Sequence, residues 1–114
     1  MHESFVARSI LDNCLAALPK DKSKITKITL SVGVMEGLEG ESLRLYFREL
    51  AKGTAAAEAK IIIEKKPAEL ACTVCGEKSY YDGSTPLQVD CAKCRGLNHL
   101  TGGRELEIKN METT

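Results

Sequence analysis

The 114-residue sequence contains no tryptophan, and only 4% of its residues are aromatic. A core must therefore be built from aliphatic side chains, and few rings are available to stack on nucleobases. Net charge is also absent, because 16 Lys and Arg residues balance 16 Asp and Glu residues. Nucleic-acid binding depends on basic side chains that displace counterions from phosphates. These two absences argue against a nucleic-acid-binding protein.

The sequence also lacks the long hydrophobic run, about 20 residues, that a membrane-spanning helix requires. The amino-terminal segment has early acidic residues and no basic stretch followed by an apolar one, so it does not resemble a secretion signal. Four of the five cysteines occur in CxxC units. Without a secretion signal, paired cysteines favour metal binding in a reducing compartment over disulfides. We therefore expect a cytoplasmic protein with no membrane segment.

Two stretches with apolar residues three or four positions apart predict helices. The first stripe ends near Pro19, and Cys14 lies on it as a small core residue. The second begins at Glu41, close to the positive end of the helix dipole, and stops at Gly53. The apolar residues of the two stripes are Val6, Ile10, Leu11, Cys14, Leu15, Leu18, Leu43, Tyr46, Phe47 and Leu50.

Three further segments predict strands. Residues 28–34 alternate apolar and polar side chains, which indicates a half-buried strand. Three consecutive isoleucines in AKIIIEKK favour a second strand, closed by Pro67. After the cysteines, Leu106 and Ile108 lie on one face of a returning strand, which we assign to the same sheet. The predicted fold is α+β: a small α/β domain of two helices packed on a three-stranded sheet, with a four-cysteine zinc ribbon inserted into it.

The cysteines follow the spacing Cys72-x2-Cys75, fifteen residues, Cys91-x2-Cys94, which is typical of a zinc site. Each CxxC turn can direct two thiolates to one point, and Zn²⁺ accepts four sulfurs as a tetrahedron. Four protein ligands leave no open position for water, so the predicted zinc is structural. A ribbon this small cannot bury enough apolar surface alone, so metal binding must supply its folding free energy.

We place this ribbon at residues 70–100 and the α/β domain at residues 1–69 plus 101–114. The alternatives for the cysteines are two disulfides, a redox CxxC unit, or iron in the same sulfur cage. His99 could replace a thiolate, although an exposed histidine is the simpler interpretation. Tyr80 and Tyr81 could stack bases, but in so small a ribbon we interpret one or both as its core.

Two other functions are compatible with parts of the sequence. A zinc-ribbon nucleic-acid-binding protein or transcription adaptor is the first alternative, which the balanced charge between Cys72 and His99 disfavours. A small redox or hydrolytic enzyme is the second. It would need a nucleophile and a base, and with only His2 and His99 available and the paired cysteines committed to metal, none can be assembled.

The sequence begins Met1-His2-Glu3. A free α-amino group, the His2 imidazole and deprotonated backbone amides would form fused chelate rings of nitrogen donors. Such an arrangement suits square-planar Ni²⁺ or Cu²⁺ better than Zn²⁺.

From end to end the chain resembles the HypA/HybF family, the nickel-insertion accessory proteins of [NiFe]-hydrogenase maturation. The resemblance lies in MHE at residue 1, SILDNCLAAL, ITKITLSVG, ESLRLYFRELAKGT, the two CxxC units and the closing GRELEIK. It implies a metallochaperone and not an enzyme, with Ni²⁺ bound at Met1, His2 and Glu3, and Zn²⁺ in the ribbon. Family members often have glycine directly after the last cysteine, where this chain has Arg95, so we expect a looser second turn.

The resemblance also implies partners. These are a HypB-like GTPase and the [NiFe]-hydrogenase large subunit, to which nickel would be delivered. Some relatives also serve urease, which implies urease accessory proteins as further partners.

Overall fold

The structure, a computed structural model, describes residues 3–114, so Met1 and His2 lie outside the described residues. Two α-helices and six β-strands follow one another, with a 3₁₀ turn at Val34–Glu36 after the first strand. The helices are α1 (Glu3–Ala17) and α2 (Gly40–Ala51). The strands are β1 (Ile25–Gly33), β2 (Lys60–Lys66), β3 (Ala68–Cys72), β4 (Lys78–Tyr81), β5 (Asn98–Gly102) and β6 (Leu106–Thr113).

The chain forms two units. Among the described residues, the first unit contains the chain up to Ser31, then Gly37–Glu64 and Glu107–Thr114. The second unit contains Val32–Glu36 and Lys65–Leu106. The assignment of nickel to one unit and zinc to the other remains a prediction.

The first unit is built from α1, α2 and a three-stranded sheet with the strand order β2-β1-β6. The two helices pack against each other. Helix α1 ends before Pro19 and buries Cys14 on its inner face, both as predicted. The largest fully buried side chains all belong to this unit, namely Leu11, Ile25, Ile28, Leu30, Leu43 and Cys14. The predicted α+β fold, with two helices and a returning strand, is confirmed.

Strand β1 is more deeply buried than its alternating sequence predicts. Every residue from Ile28 to Gly33 is buried, including the polar Thr29 and Ser31. Because neighbouring strand residues point to opposite faces, both faces of this central strand are covered. Within residues 3–114, no buried side-chain nitrogen or oxygen lacks a hydrogen-bond partner. The prediction of a half-buried strand was therefore wrong over this stretch.

Strand β6 returns alongside β1 and runs antiparallel to it. The Gly33 N–H donates to the Glu105 carbonyl at 2.6 Å, and at the other end of β1 the Thr26 hydroxyl donates to the Glu112 carbonyl at 3.1 Å. Leu106 and Ile108 remain 39% and 38% exposed. They pack only partly because β6 is an edge strand of the sheet.

The second unit contains a second three-stranded sheet, with the order β4-β3-β5. Its central strand, β3, was not predicted, because Pro67 was interpreted as the end of the extended segment. Ala68 lies opposite both Tyr81 and Gly102 in this antiparallel sheet. The pairing of β3 with β5 brings the two ends of the cysteine segment side by side. Tyr80 is 69% exposed, whereas Tyr81 is half-buried, so of these two tyrosines Tyr81 is the one that can contribute to the small core predicted for one or both of them.

Candidate metal centre

Both CxxC units form turns in which backbone N–H groups point at a cysteine sulfur. In the first turn, the N–H groups of Val74 and Cys75 donate to Cys72 Sγ at 3.3 and 3.4 Å. In the second, the Lys93 N–H donates to Cys91 Sγ at 3.4 Å. Such donors stabilise negative charge on sulfur, so each turn is suited to hold a thiolate.

The two turns also close in the same way. The Gly76 N–H donates to the Cys72 carbonyl at 3.1 Å, and the Arg95 N–H donates to the Cys91 carbonyl at 2.9 Å. Gly76 has a φ of 78° and Arg95 a φ of 70°. The second turn is therefore as tightly closed as the first, contrary to the looser turn expected from Arg95. The difference is one of strain, since a left-handed conformation costs a residue with a Cβ about 1–2 kcal/mol.

The four sulfurs lie together, all within 4.8 Å of one another. The Cys72 and Cys94 sulfurs are 3.4 Å apart, and those of Cys75 and Cys91 are 3.7 Å apart. A disulfide bond would be about 2.0 Å long, so all four cysteines are free thiols here. Four sulfurs at about 2.3 Å from a central Zn²⁺ would lie about 3.8 Å apart at the corners of a tetrahedron. The cysteine group therefore fits a tetrahedral metal ion.

Burial divides the group into an inner and an outer pair. Cys72 and Cys91 are buried, whereas Cys75 and Cys94 are exposed. Within the described part of the chain, the four cysteines alone make up the candidate metal-ligand group, and His99 is not a member. His99 lies on β5 opposite Ala71 and is exposed, in agreement with the simpler interpretation.

The pKa values of the first pair of cysteines move in opposite directions. Hydrogen bonds from the backbone N–H groups of Cys75 and Val74 lower the pKa of Cys72 to about 6. The Glu77 N–H favours the Cys75 thiolate, but partial desolvation of this exposed thiol and hydrogen bonds with the other three cysteines outweigh it and raise the pKa of Cys75 to about 12. One thiolate therefore forms readily, while the next must lose its proton to an incoming metal ion.

Glu3, the one predicted nickel ligand within the described residues, begins α1. Its carboxylate accepts a hydrogen bond from the Glu39 N–H at 3.5 Å. Glu39 is the N-cap of α2, and its own carboxylate accepts from the Glu41 N–H at 3.0 Å. The side chain of Glu3, at the start of α1, therefore reaches the start of α2. The predicted ligands Met1 and His2 lie outside the described residues.

The model of one protein family, described as hydrogenase/urease nickel incorporation, metallochaperone, HypA, matches residues 1–113. The chain belongs to the HypA family. It is 32% identical to the hydrogenase maturation factor HypA of a Synechococcus species, over 98% of both chains. It is also 32% identical to the same factor of Methanocaldococcus jannaschii, over 96% of this chain and 94% of that protein.

Solved HypA structures share the fold. A solution structure of the Ni metallochaperone HypA from Helicobacter pylori aligns with a TM-score of 0.64 at 21% identity, covering 99% of this chain and 97% of that one. A second HypA solution structure aligns with a TM-score of 0.66 at 21% identity, covering 100% of this chain and 97% of that one.

Membership of the HypA family confirms several predictions. The chain is a metallochaperone of hydrogenase maturation, a class of accessory protein without enzymatic activity, and its family handles nickel. The cysteine group can hold a metal ion. Among residues 3–114, no helix is long and apolar enough to cross a membrane.

Proposed function

We propose that this HypA protein binds Ni²⁺ at Met1, His2 and Glu3 and delivers it to the [NiFe]-hydrogenase large subunit. A HypB-like GTPase is its partner, the cytoplasm is its compartment, and Zn²⁺ is held permanently by the four cysteines. The observation that carries the proposal is the match to a nickel-incorporation family from residue 1 onward.

The chemistry of the two donor sets supports separate places for the two metals. Cys72, Cys75, Cys91 and Cys94 offer four thiolates, a set that suits tetrahedral Zn²⁺ and closes the coordination sphere. A metal held in this way is released slowly and has no open position for exchange. The amino-terminal nitrogen donors suit square-planar Ni²⁺, and they can be protonated and exchanged.

The contacts of Glu3 support a nickel site close to the first turn of α2. Its carboxylate accepts a hydrogen bond from the N–H of Glu39, the N-cap of α2. A metal bound by labile nitrogen ligands can be passed on only at short range. The GTPase therefore docks on the first unit, close to Glu3, and the second unit is left to contact other partners.

Blocking the amino terminus tests the nickel site. The α-amine, with a reference pKa of about 7.7 to 8.0, must lose its proton to coordinate nickel. A peptide tag ahead of Met1 turns this amine into an amide but leaves His2 and the cysteine group unchanged. Tag-blocked protein should lose tight nickel binding and the weak visible band of square-planar Ni²⁺, whereas tag-cleaved protein should show both.

His2→Ala provides the matched variant, since it keeps the free amine and removes the imidazole. It should also lose tight nickel binding while zinc content and thermal stability stay unchanged. Equal nickel affinity and identical spectra for the tag-blocked and tag-cleaved proteins would contradict amine ligation and move the site elsewhere.

A further inference from the structure

A groove of about 460 Å³ lies between α2 and the segment that leads into β2. Its volume falls in the range of about 300–1,000 Å³ that is usual for ligand sites. Phe47 and Ile61 form its buried floor, and the accessible apolar surface of its lining comes from the exposed Ala57 and the half-buried Ala59 and Ile62. The groove thus offers a contact surface for apolar side chains.

Three cationic side chains line the same groove, namely Arg44, Arg48 and Lys60. The two arginines are one helical turn apart and share a face of α2. Glu58 is the carboxylate in the lining, and it is paired with Lys24 Nζ at 3.2 Å. Arg48 and Lys60 form no ion pair with any residue that the structure describes. The groove is therefore a positive site on a protein whose net charge is zero.

Arg44 is held in place by the strand. Its Nε donates a hydrogen bond to the Ile61 carbonyl at 3.2 Å, in a part-buried contact. A main-chain carbonyl cannot neutralise a guanidinium, so Arg44 retains its full charge and can still donate through its terminal nitrogens. An arginine whose side chain is already ordered loses little further conformational entropy when it binds an anion.

The groove follows the free edge of the sheet. Among the described strands, β2 lies at the edge of the order β2-β1-β6. Lys60, Ile61 and Ile62 are consecutive, and all three line the groove. Because consecutive strand residues point to opposite faces, a groove lined by all three runs along the strand edge and not over one face. An edge offers main-chain donors and acceptors to an extended peptide, and here Arg44 Nε already occupies one of these acceptors, the Ile61 carbonyl.

We propose that this groove is a docking site for an extended, acidic segment of a partner protein. Carboxylates of the segment pair with Arg44, Arg48 and Lys60. An apolar side chain between them packs on Ala57, Ala59 and Ile62. The charge of the lining selects an acidic segment, and the strand edge selects an extended one. The inference does not rest on either metal site, so it can fail or succeed independently of the proposed function.

A peptide-binding experiment on the full-length, zinc-loaded protein tests this site. The probe is a hexapeptide of alternating acidic and apolar residues with fluorescein on its amino terminus, fluorescein-Asp-Val-Glu-Leu-Asp-Val-amide. The control peptide has Asn and Gln in place of the acids. The acidic peptide should bind more tightly, weaken as salt is added, and shift amide resonances of residues 44–48 and 57–62.

Charge-reversal variants then distinguish the groove from the general surface. Arg48→Glu should weaken binding of the acidic peptide by about tenfold or more, because an attraction becomes a repulsion. Lys20→Glu makes the same change of charge on an exposed loop residue outside the groove and should leave binding unchanged. Arg48 is exposed, so its replacement should leave the thermal melting temperature unchanged, and the milder Arg48→Gln should weaken binding to a smaller extent.

Three results would overturn the proposal. One is equal affinity for the acidic and neutral peptides, and another is equal loss of binding in Arg48→Glu and Lys20→Glu. The third is tighter, Arg48-dependent binding of a single-stranded oligonucleotide, which would assign the groove to phosphate and not to protein carboxylates.

Discussion

Arg95 has a left-handed backbone conformation. At the equivalent position of the first CxxC turn, the residue with this conformation is a glycine, Gly76. The φ of 70° at Arg95 and its hydrogen bond to the Cys91 carbonyl match those of Gly76 with Cys72. The turn therefore imposes this backbone conformation on Arg95, and the closing hydrogen bond to the Cys91 carbonyl offsets part of the strain.

Replacing this arginine by glycine should stabilise the ribbon. Arg95→Gly removes the Cβ that disfavours positive φ and should raise the free energy of unfolding by about 1 kcal/mol. Thermal unfolding of the zinc-loaded protein measures the change. Gly76→Ala, the reverse substitution at the matching position, should destabilise by a similar amount. A glycine variant that is less stable than the original chain would contradict this account of Arg95.

Loss of one sulfur should unfold the ribbon. Cys91 is 2% exposed, and its sulfur lies 3.7 Å from that of Cys75. Cys91→Ser leaves three thiolates, and much of the metal-binding free energy that folds the ribbon is lost. Zinc should fall well below about one ion per chain by elemental analysis, and amide resonances of residues 72–99 should collapse. Cys14→Ser is the control, because Cys14 is buried in α1 and should keep full zinc. Full zinc in Cys91→Ser would rule out Cys91 as a ligand.

At the scale of the elements, β1 is the central strand of the first sheet. At its last residue, Gly33, the backbone packs closely against another part of the main chain. A Cβ built on Gly33 would overlap the main chain of Gly103 and of Arg104. The close approach places the Gly33 N–H within 2.6 Å of the Glu105 carbonyl, which is where β6 begins to pair with β1. Absence of a side chain at residue 33 is thus what lets the returning strand pair with β1.

Gly33→Ala should therefore be much more disruptive than an ordinary glycine substitution. The new methyl group meets backbone atoms that cannot rotate away, so we expect a loss of about 3 kcal/mol in the free energy of unfolding. Gly37→Ala is the matched control. Its φ is +65° but no atom lies near the new Cβ, so only the conformational cost of about 1 kcal/mol applies. Chemical denaturation of both variants makes the comparison, and equal losses would contradict the close packing at Gly33.

At the scale of the whole molecule, each unit exposes a large apolar side chain. Phe5 on α1 and Val74 in the first CxxC turn are both 75% exposed. Exposed aromatic side chains are frequent anchors of protein interfaces. Phe5 lies in the first turn of α1, which begins at Glu3, so it is at the same end of this helix as the proposed nickel ligand.

Binding of a HypB-like GTPase should depend on the first of these residues and not on the second. Phe5→Asp should weaken the complex by about tenfold or more, because a charge replaces an interface anchor. Val74→Asp introduces the same charge at equal exposure on the other unit and should leave the affinity unchanged. Calorimetric titration of each variant with the GTPase measures both effects. A larger effect of Val74→Asp would place the interface on the second unit.

Much of the fold was predictable because its signals are local. The helix that ends before Pro19 and the second helix up to Ala51 follow from apolar spacing and stop signals within each segment. The four-cysteine group follows from the spacing of two CxxC units, since two such turns need only meet at one point to surround a metal. The returning strand was predicted because Leu106 and Ile108 would have nothing to pack on within a small zinc ribbon. They were therefore assigned to the sheet of the larger domain, where β6 is found.

Features that depend on distant parts of the chain could not be predicted in this way. Strand β3 lies directly after a proline and is a strand because β4 and β5 pair with it from both sides. The polar Thr29 and Ser31 are buried because both faces of β1 are covered, which no alternation in one segment can reveal. Local sequence signals were sufficient for the family and for the cysteine group. Long-range pairing set the burial of β1 and the cationic groove beside β2, because each depends on residues that meet only after folding.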